Sequence, residues 1–276
     1  MIMEVNNVDK NLIKKHGLLL SLLVTFLIIF ALFGANLIYK SLYFITTEKA
    51  SILCNIFIRA VYSVLILLLA YKLCLTKKIY FRPFHIWKSV KAGWFLWGVI
   101  ILRYIATIIT LQSEANHKVI WSRIGLFLLL ILLVGIFEEL SFRGVVYSAL
   151  KIHFSKNTNL LLVIILQGIF FGLLHIVNWF MGSVGVIYCI FQIITAIAMG
   201  IYLATVYEKS RSMLGVILLH SFFDGSNLVI YLYGYDIKLD NGSLSWPSII
   251  IALFLLIVSI FYAKRVTKGM TLTAES

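Results

Sequence analysis

Eight apolar stretches, most of them long enough to cross about 30 Å of hydrocarbon as a helix, dominate this chain of 276 residues. They are Leu18–Tyr39, Ile52–Tyr71, Ala92–Leu111, Ile124–Ala149, Leu160–Phe180, Val184–Val206, Met213–Tyr233 and the shorter Ile249–Ala263. Apolar residues run on without the period-two alternation of barrel strands, and the whole chain holds only two prolines. With 62% hydrophobic and 13% charged residues, it has a surplus that no water-soluble fold of this size could bury. The expectation is an all-α, multi-pass bundle of about eight helices in a cell membrane, with lipid as its surroundings.

The net charge of +13 is read by position. No segment is long enough to build a basic, water-exposed domain, so nucleic acid is not expected as a partner. With the N-terminus placed in the cytoplasm, sixteen Lys and Arg fall in inner segments and five in outer ones, while Arg59, Arg103 and Arg143 lie within spans. That asymmetry predicts both termini on the cytoplasmic side. The first run follows Lys14 and Lys15, but its apolar core exceeds that of a signal peptide and no convincing cleavage site follows; an uncleaved helix is expected. Lys77–Lys91 mixes Tyr80, Phe81, Phe84, Ile86 and Trp87 with basic residues, which suits either a segment lying on the membrane surface or a plain connector. Cys54, Cys74 and Cys189 have neither metal-type spacing nor a disulfide pattern.

Charge inside a span costs about 2.5–3.5 kcal/mol on insertion scales, so such residues need a partner or a task. Three clusters stand out: Glu138-Glu139-Leu140-Ser141-Phe142-Arg143 in the fourth span, Phe171 to His175 in the fifth, and His220 to Asp224 in the seventh. Glu139 and Arg143, four apart, share a helix face and can neutralise one another. Glu138 points about 100° away from Glu139 and has no basic residue of its own, which leaves it for the work of a general base. His220 and Asp224 also face one way, so Asp224 can orient the imidazole or both can address one small molecule. Gly168 and Gly172 form a small-residue face for close helix approach beside His175. Arg59 and Arg103 are read as anchors or pairing residues without a chemical role. Taken singly each cluster could be packing; two carboxylates, an Arg, two His and an Asp on three spans exceed what packing needs.

At these residues the sequence resembles the CPBP family of intramembrane proteases, the CAAX-type and bacteriocin-processing or immunity group also called Abi. The family's motifs EExxxR, FxxxH and HxxxN or HxxxD appear as Glu138, Glu139 and Arg143, then Phe171 and His175, then His220 and Asp224. The resemblance covers roughly residues 121–233. It divides the chain into three N-terminal helices with a basic loop (1–120), a catalytic core (121–233), and an outer loop with the last helix and tail (234–276). It implies hydrolysis of a peptide bond in a small membrane-associated peptide or protein. Glu138 with His175 would activate water, His220 and Asp224 would stabilise the oxyanion, and Glu139, Arg143 and Phe171 would support them.

Where an Asn amide could donate, Asp224 when ionised only accepts. It either carries a proton, orients His220, or binds a metal. The metal alternative would place Zn²⁺ on Glu138, His175 and His220; without it no cofactor is expected. Depth along the helices also matters. At 1.5 Å per residue, Glu138 lies roughly 20 Å from Lys151, His175 roughly 24 Å from Asn159 and His220 roughly 13 Å from Arg211, so upright helices would not bring the groups level. Two other functions fit intramembrane Glu and His: a non-catalytic adaptor or bacteriocin-immunity protein that binds a membrane-protein partner, and a proton-coupled transporter.

Overall fold

The computed structural model describes residues 2–42, 48–113, 120–154, 159–228, 232, 246–268 and 270, which are almost wholly helical and include no β-strand. In chain order the helices are α1 (Ile2–Leu42), α2 (Glu48–Lys72), α3 (Ile86–Ala92), α4 (Trp94–Ser113), α5 (Ile124–Glu139), α6 (Tyr147–His153), α7 (Leu160–Leu173), α8 (Ile176–Phe180), α9 (Val186–Ser210), α10 (Met213–Leu228) and α11 (Trp246–Thr267). Many large side chains remain exposed, among them Phe30, Phe57, Leu102 and Phe261, as helices in contact with lipid require. The chain is a multi-pass membrane protein.

Among the described residues six helices are long and apolar enough to cross, and a seventh span exists if the pair Thr76–Ala92 and Trp94–Ile109, bent by 74°, counts as one. Within the expected span Met213–Tyr233 the described apolar helix Met213–Ser226 reaches roughly 21 Å at 1.5 Å per residue. Tyr233 and the expected outer loop at 234–245 lie outside the described residues.

Helix ends have local causes. Asn159 caps α7 by accepting a hydrogen bond from the Leu161 amide at 2.9 Å. Arg211 ends α9 in the left-handed conformation, at φ 53°. The most extensive helix contacts are α7 on α9, α9 on α11, α5 on α10 and α2, and α1 on α6. Gly168 and Gly172 do provide the close approach read from sequence. A Cβ on either would come within 2.5 Å of Ile201 or Ile197 of α9.

Candidate active site

Glu138 and Glu139 are the last two residues of α5, and the chain runs directly into a π-helical turn, Leu140–Val146. The wider turn holds Arg143 still within reach of Glu139, with Nη1 donating to Oε1 at 2.8 Å while Nη2 donates to the Gly200 carbonyl at 3.1 Å. Both side chains are wholly buried. The Phe171 ring of α7 lies beneath the guanidinium, 4.8 Å from Cζ, and meets Phe142 edge-on at 5.1 Å. Burying this charge pair is tolerable because the guanidinium is neutralised, hydrogen-bonded and stacked together.

Helix α10 reaches this pair because α5 presents Gly135 to it. A Cβ there would sit 2.3 Å from the Ser221 hydroxyl, so only glycine permits the approach. His220 Nδ1 then lies 2.6 Å from Glu139 Oε1. With that oxygen already accepting from Arg143, Nδ1–H is the donor, which leaves Nε2 to face the opposite way. There Nε2 lies 3.3 Å from Asp224 Oδ2 and 3.6 Å from Glu138 Oε2. The i, i+4 register of His220 and Asp224 therefore brings them together, as expected from sequence.

Two readings need correction. Glu139 is more than the neutraliser of Arg143, since the same oxygen fixes His220. Glu138 has a basic neighbour after all: Arg59 of α2 places Nη1 3.6 Å from Glu138 Oε1, with its guanidinium over Phe137 at 5.9 Å. Helical spacing within one span reveals nothing about α2, so the contact was invisible in the sequence. The sole signal was the cost of an arginine inside an apolar run. Arg103 of α4 stacks on Phe223 at 4.3 Å, next to Asp224 in the chain.

His175 sits where the expected fifth span breaks, between α7 and α8, with Nδ1 3.3 Å from the Phe171 carbonyl. Phe171 touches both imidazoles, its centroid 5.6 Å from His175 and 5.5 Å from His220. Among the described residues no hydrogen bond or ion pair joins His175 to Glu138. The structure thus gathers Glu138, Glu139, Arg143, Phe171, His220 and Asp224, with His175 against the same phenylalanine. Among the described residues no three His, Cys, Asp or Glu side chains are grouped so as to hold a metal ion, and Glu138, His175 and His220 are no exception.

Three carboxylates, two guanidiniums and an imidazole thus meet inside a helical membrane bundle, a site suited to moving protons away from bulk water. The family model of the type II CAAX prenyl endopeptidase Rce1-like proteins matches residues 120–226, which include every one of these groups except Arg59. The match is consistent with the resemblance read from the three motifs, a family of membrane proteases, and it covers residues 120–226. A protease of this family acts on a peptide or protein substrate in the membrane. No curated protein and no solved structure matches the chain.

Proposed function

We propose that this protein is an intramembrane endopeptidase of the glutamate type, with Glu138 as general base. In this reading a water beside Glu138 attacks the scissile carbonyl carbon and passes its proton to the Glu138 carboxylate. The carbonyl oxygen becomes an oxyanion, which the His220 imidazolium stabilises through Nε2–H. Collapse of the tetrahedral intermediate breaks the C–N bond, and the proton held by Glu138 goes to the leaving amine. His175 assists with the water, and Asp224 holds the His220 ring from the Nε2 side until the oxyanion forms.

The observation that carries this reading is the position of His220 Nε2, 3.6 Å from Glu138 and 3.3 Å from Asp224, with Nδ1 anchored on Glu139. With both ring nitrogens protonated, the His220 imidazolium keeps Nδ1–H on Glu139 and offers Nε2–H beside the carboxylate base, one donor for the oxyanion and one acceptor for the proton, side by side. In this reading Asp224 orients the imidazolium and needs neither a proton nor a metal. The substrate is a membrane-associated peptide or protein.

Peptidomics of cells carrying wild-type protein against Glu138→Ala tests the proposal. The expected result is a set of peptides whose processing stops in the variant while the protein still inserts. Identical peptide profiles, with the cellular role intact even in a Glu138→Ala, His220→Ala double variant, would overturn it in favour of an adaptor.

A further inference from the structure

The segment Thr76–Ala92 takes no part in the chemistry proposed above, yet it is the most unusual surface on the molecule. It turns away from the Trp94–Ile109 helix by 74°, so when α4 crosses the bilayer this segment runs along its boundary. Its outward side carries Phe84, 96% exposed, with Phe81 and Trp87 also exposed. Lys77, Lys88 and Lys91 are exposed among them. Between Lys72 and Lys91 there are six Lys and Arg and no Asp or Glu. Aromatic rings beside flexible cations match the headgroup zone of a bilayer, where rings sit among the glycerols and ammonium groups reach the phosphates.

The inward side is locked to the start of α10. Met213 N donates to the Tyr80 carbonyl at 2.9 Å, and the Ser212 hydroxyl to the Arg82 carbonyl at 3.3 Å. Gly215 lies so close to Ser89 that a Cβ would meet its Oγ at 2.0 Å, and a Cβ on Gly93 would meet Leu219 at 2.4 Å. Leu219 immediately precedes His220. From this geometry we infer that Thr76–Ala92 is a binding site for the headgroups of anionic phospholipids, and that occupancy of this site steadies the first turns of α10. The cationic aromatic face selects the lipid, and the backbone contacts carry the effect toward His220.

The test uses the full chain in nanodiscs and does not depend on proteolysis. Electron spin resonance with spin-labelled phosphatidylglycerol and phosphatidylcholine reads the relative association of each lipid. The expected preference for phosphatidylglycerol is about threefold or more, lost at high salt and in Lys77→Gln, Lys88→Gln, Lys91→Gln. The matching triple Lys→Arg variant retains it. Hydrogen exchange at residues 213–220 should slow several-fold when phosphatidylglycerol replaces phosphatidylcholine. Equal association of the two lipids in the wild type, or a preference undiminished by the Gln substitutions, would overturn the site. Unchanged exchange at 213–220 would overturn its link to α10. If Glu138→Ala proves the protease reading wrong, both lipid measurements still stand.

Discussion

His220 and Glu139 are 81 residues apart in the chain, yet Nδ1 and Oε1 lie 2.6 Å apart in the buried centre of the bundle. That one carboxylate oxygen also accepts from Arg143. Motif one and motif three are therefore a single hydrogen-bonded unit, in which a buried ion pair sets the orientation of an imidazole. An ion pair of this kind contributes little net stability by itself. Its value here is positional, because it defines which His220 nitrogen faces Glu138.

Removing one partner of the pair should be far costlier than removing both. Arg143→Leu leaves the Glu139 carboxylate without its guanidinium, and a loss of about 3–5 kcal/mol is expected. The double variant Glu139→Gln, Arg143→Leu should recover a substantial part of that loss. Thermal unfolding in detergent micelles reads both. Equal stability of the wild type and Arg143→Leu would show that the pair does not organise the core.

Glu138→Gln keeps the shape of the side chain and removes its capacity to accept a proton. Cleavage should fall by about 10²–10⁴-fold, the usual contribution of a positioned base. Stability should scarcely change, because the nearest cations stand 3.6 Å away and not in tight hydrogen bonds. Turnover of a processed peptide, together with a melting curve, separates the two effects.

Most of this site was legible in the sequence. Glu139 with Arg143, and His220 with Asp224, follow from helical spacing, and their burial follows from the cost of charge in hydrocarbon. What spacing could not supply is contact between helices. It gave no sign that Glu139 would reach His220, that Arg59 would approach Glu138, or that Phe171 would touch both imidazoles. Gly135 carried a partial clue, since a glycine one turn before the acidic pair marks a place where another helix can come near. The fold was read correctly as a helical membrane bundle, because long apolar runs without period-two alternation have to be helical in lipid.

Gly135→Val tests the close approach of α5 and α10 directly. Its Cβ would fall 2.3 Å from the Ser221 hydroxyl and 2.9 Å from the Ile217 carbonyl, so α10 must move away. Overpacking of this kind costs about 1–3 kcal/mol. Because the displaced helix carries His220, activity should fall further than stability alone accounts for. Activity preserved in a Gly135→Val protein would mean that the site tolerates a shift of α10.

Arg59 lies outside the segment that matches the family model, but its Nη1 stands 3.6 Å from Glu138 Oε1. Its side chain is 21% exposed, so Arg59→Leu should cost under about 1 kcal/mol of stability. The effect on turnover should be larger, because Glu138 loses the group that holds Oε1 and settles against His220 instead. A decrease of about tenfold in turnover, with partial recovery in Arg59→Lys, is expected for a positioning contact at this distance. A pH–rate profile of both variants distinguishes a changed base from a merely loosened helix, since only the former moves the acidic limb.

Asp224 decides between the ways in which His220 can be held. If Asp224 acts by accepting from Nε2–H at 3.3 Å, then an Asn side chain can do the same through its carbonyl oxygen while its amide adds a donor for the oxyanion. Asp224→Asn should therefore keep cleavage within about tenfold of the wild type, whereas Asp224→Ala, which frees the ring, should cost about 10²-fold or more. A metal-binding carboxylate would behave differently. Its amide is a poor ligand, so Asn and Ala would be equally damaging, and 1,10-phenanthroline would abolish the wild-type activity. Measuring cleavage for the two substitutions, with and without the chelator, reads the role of this carboxylate from the pattern and not from any single loss.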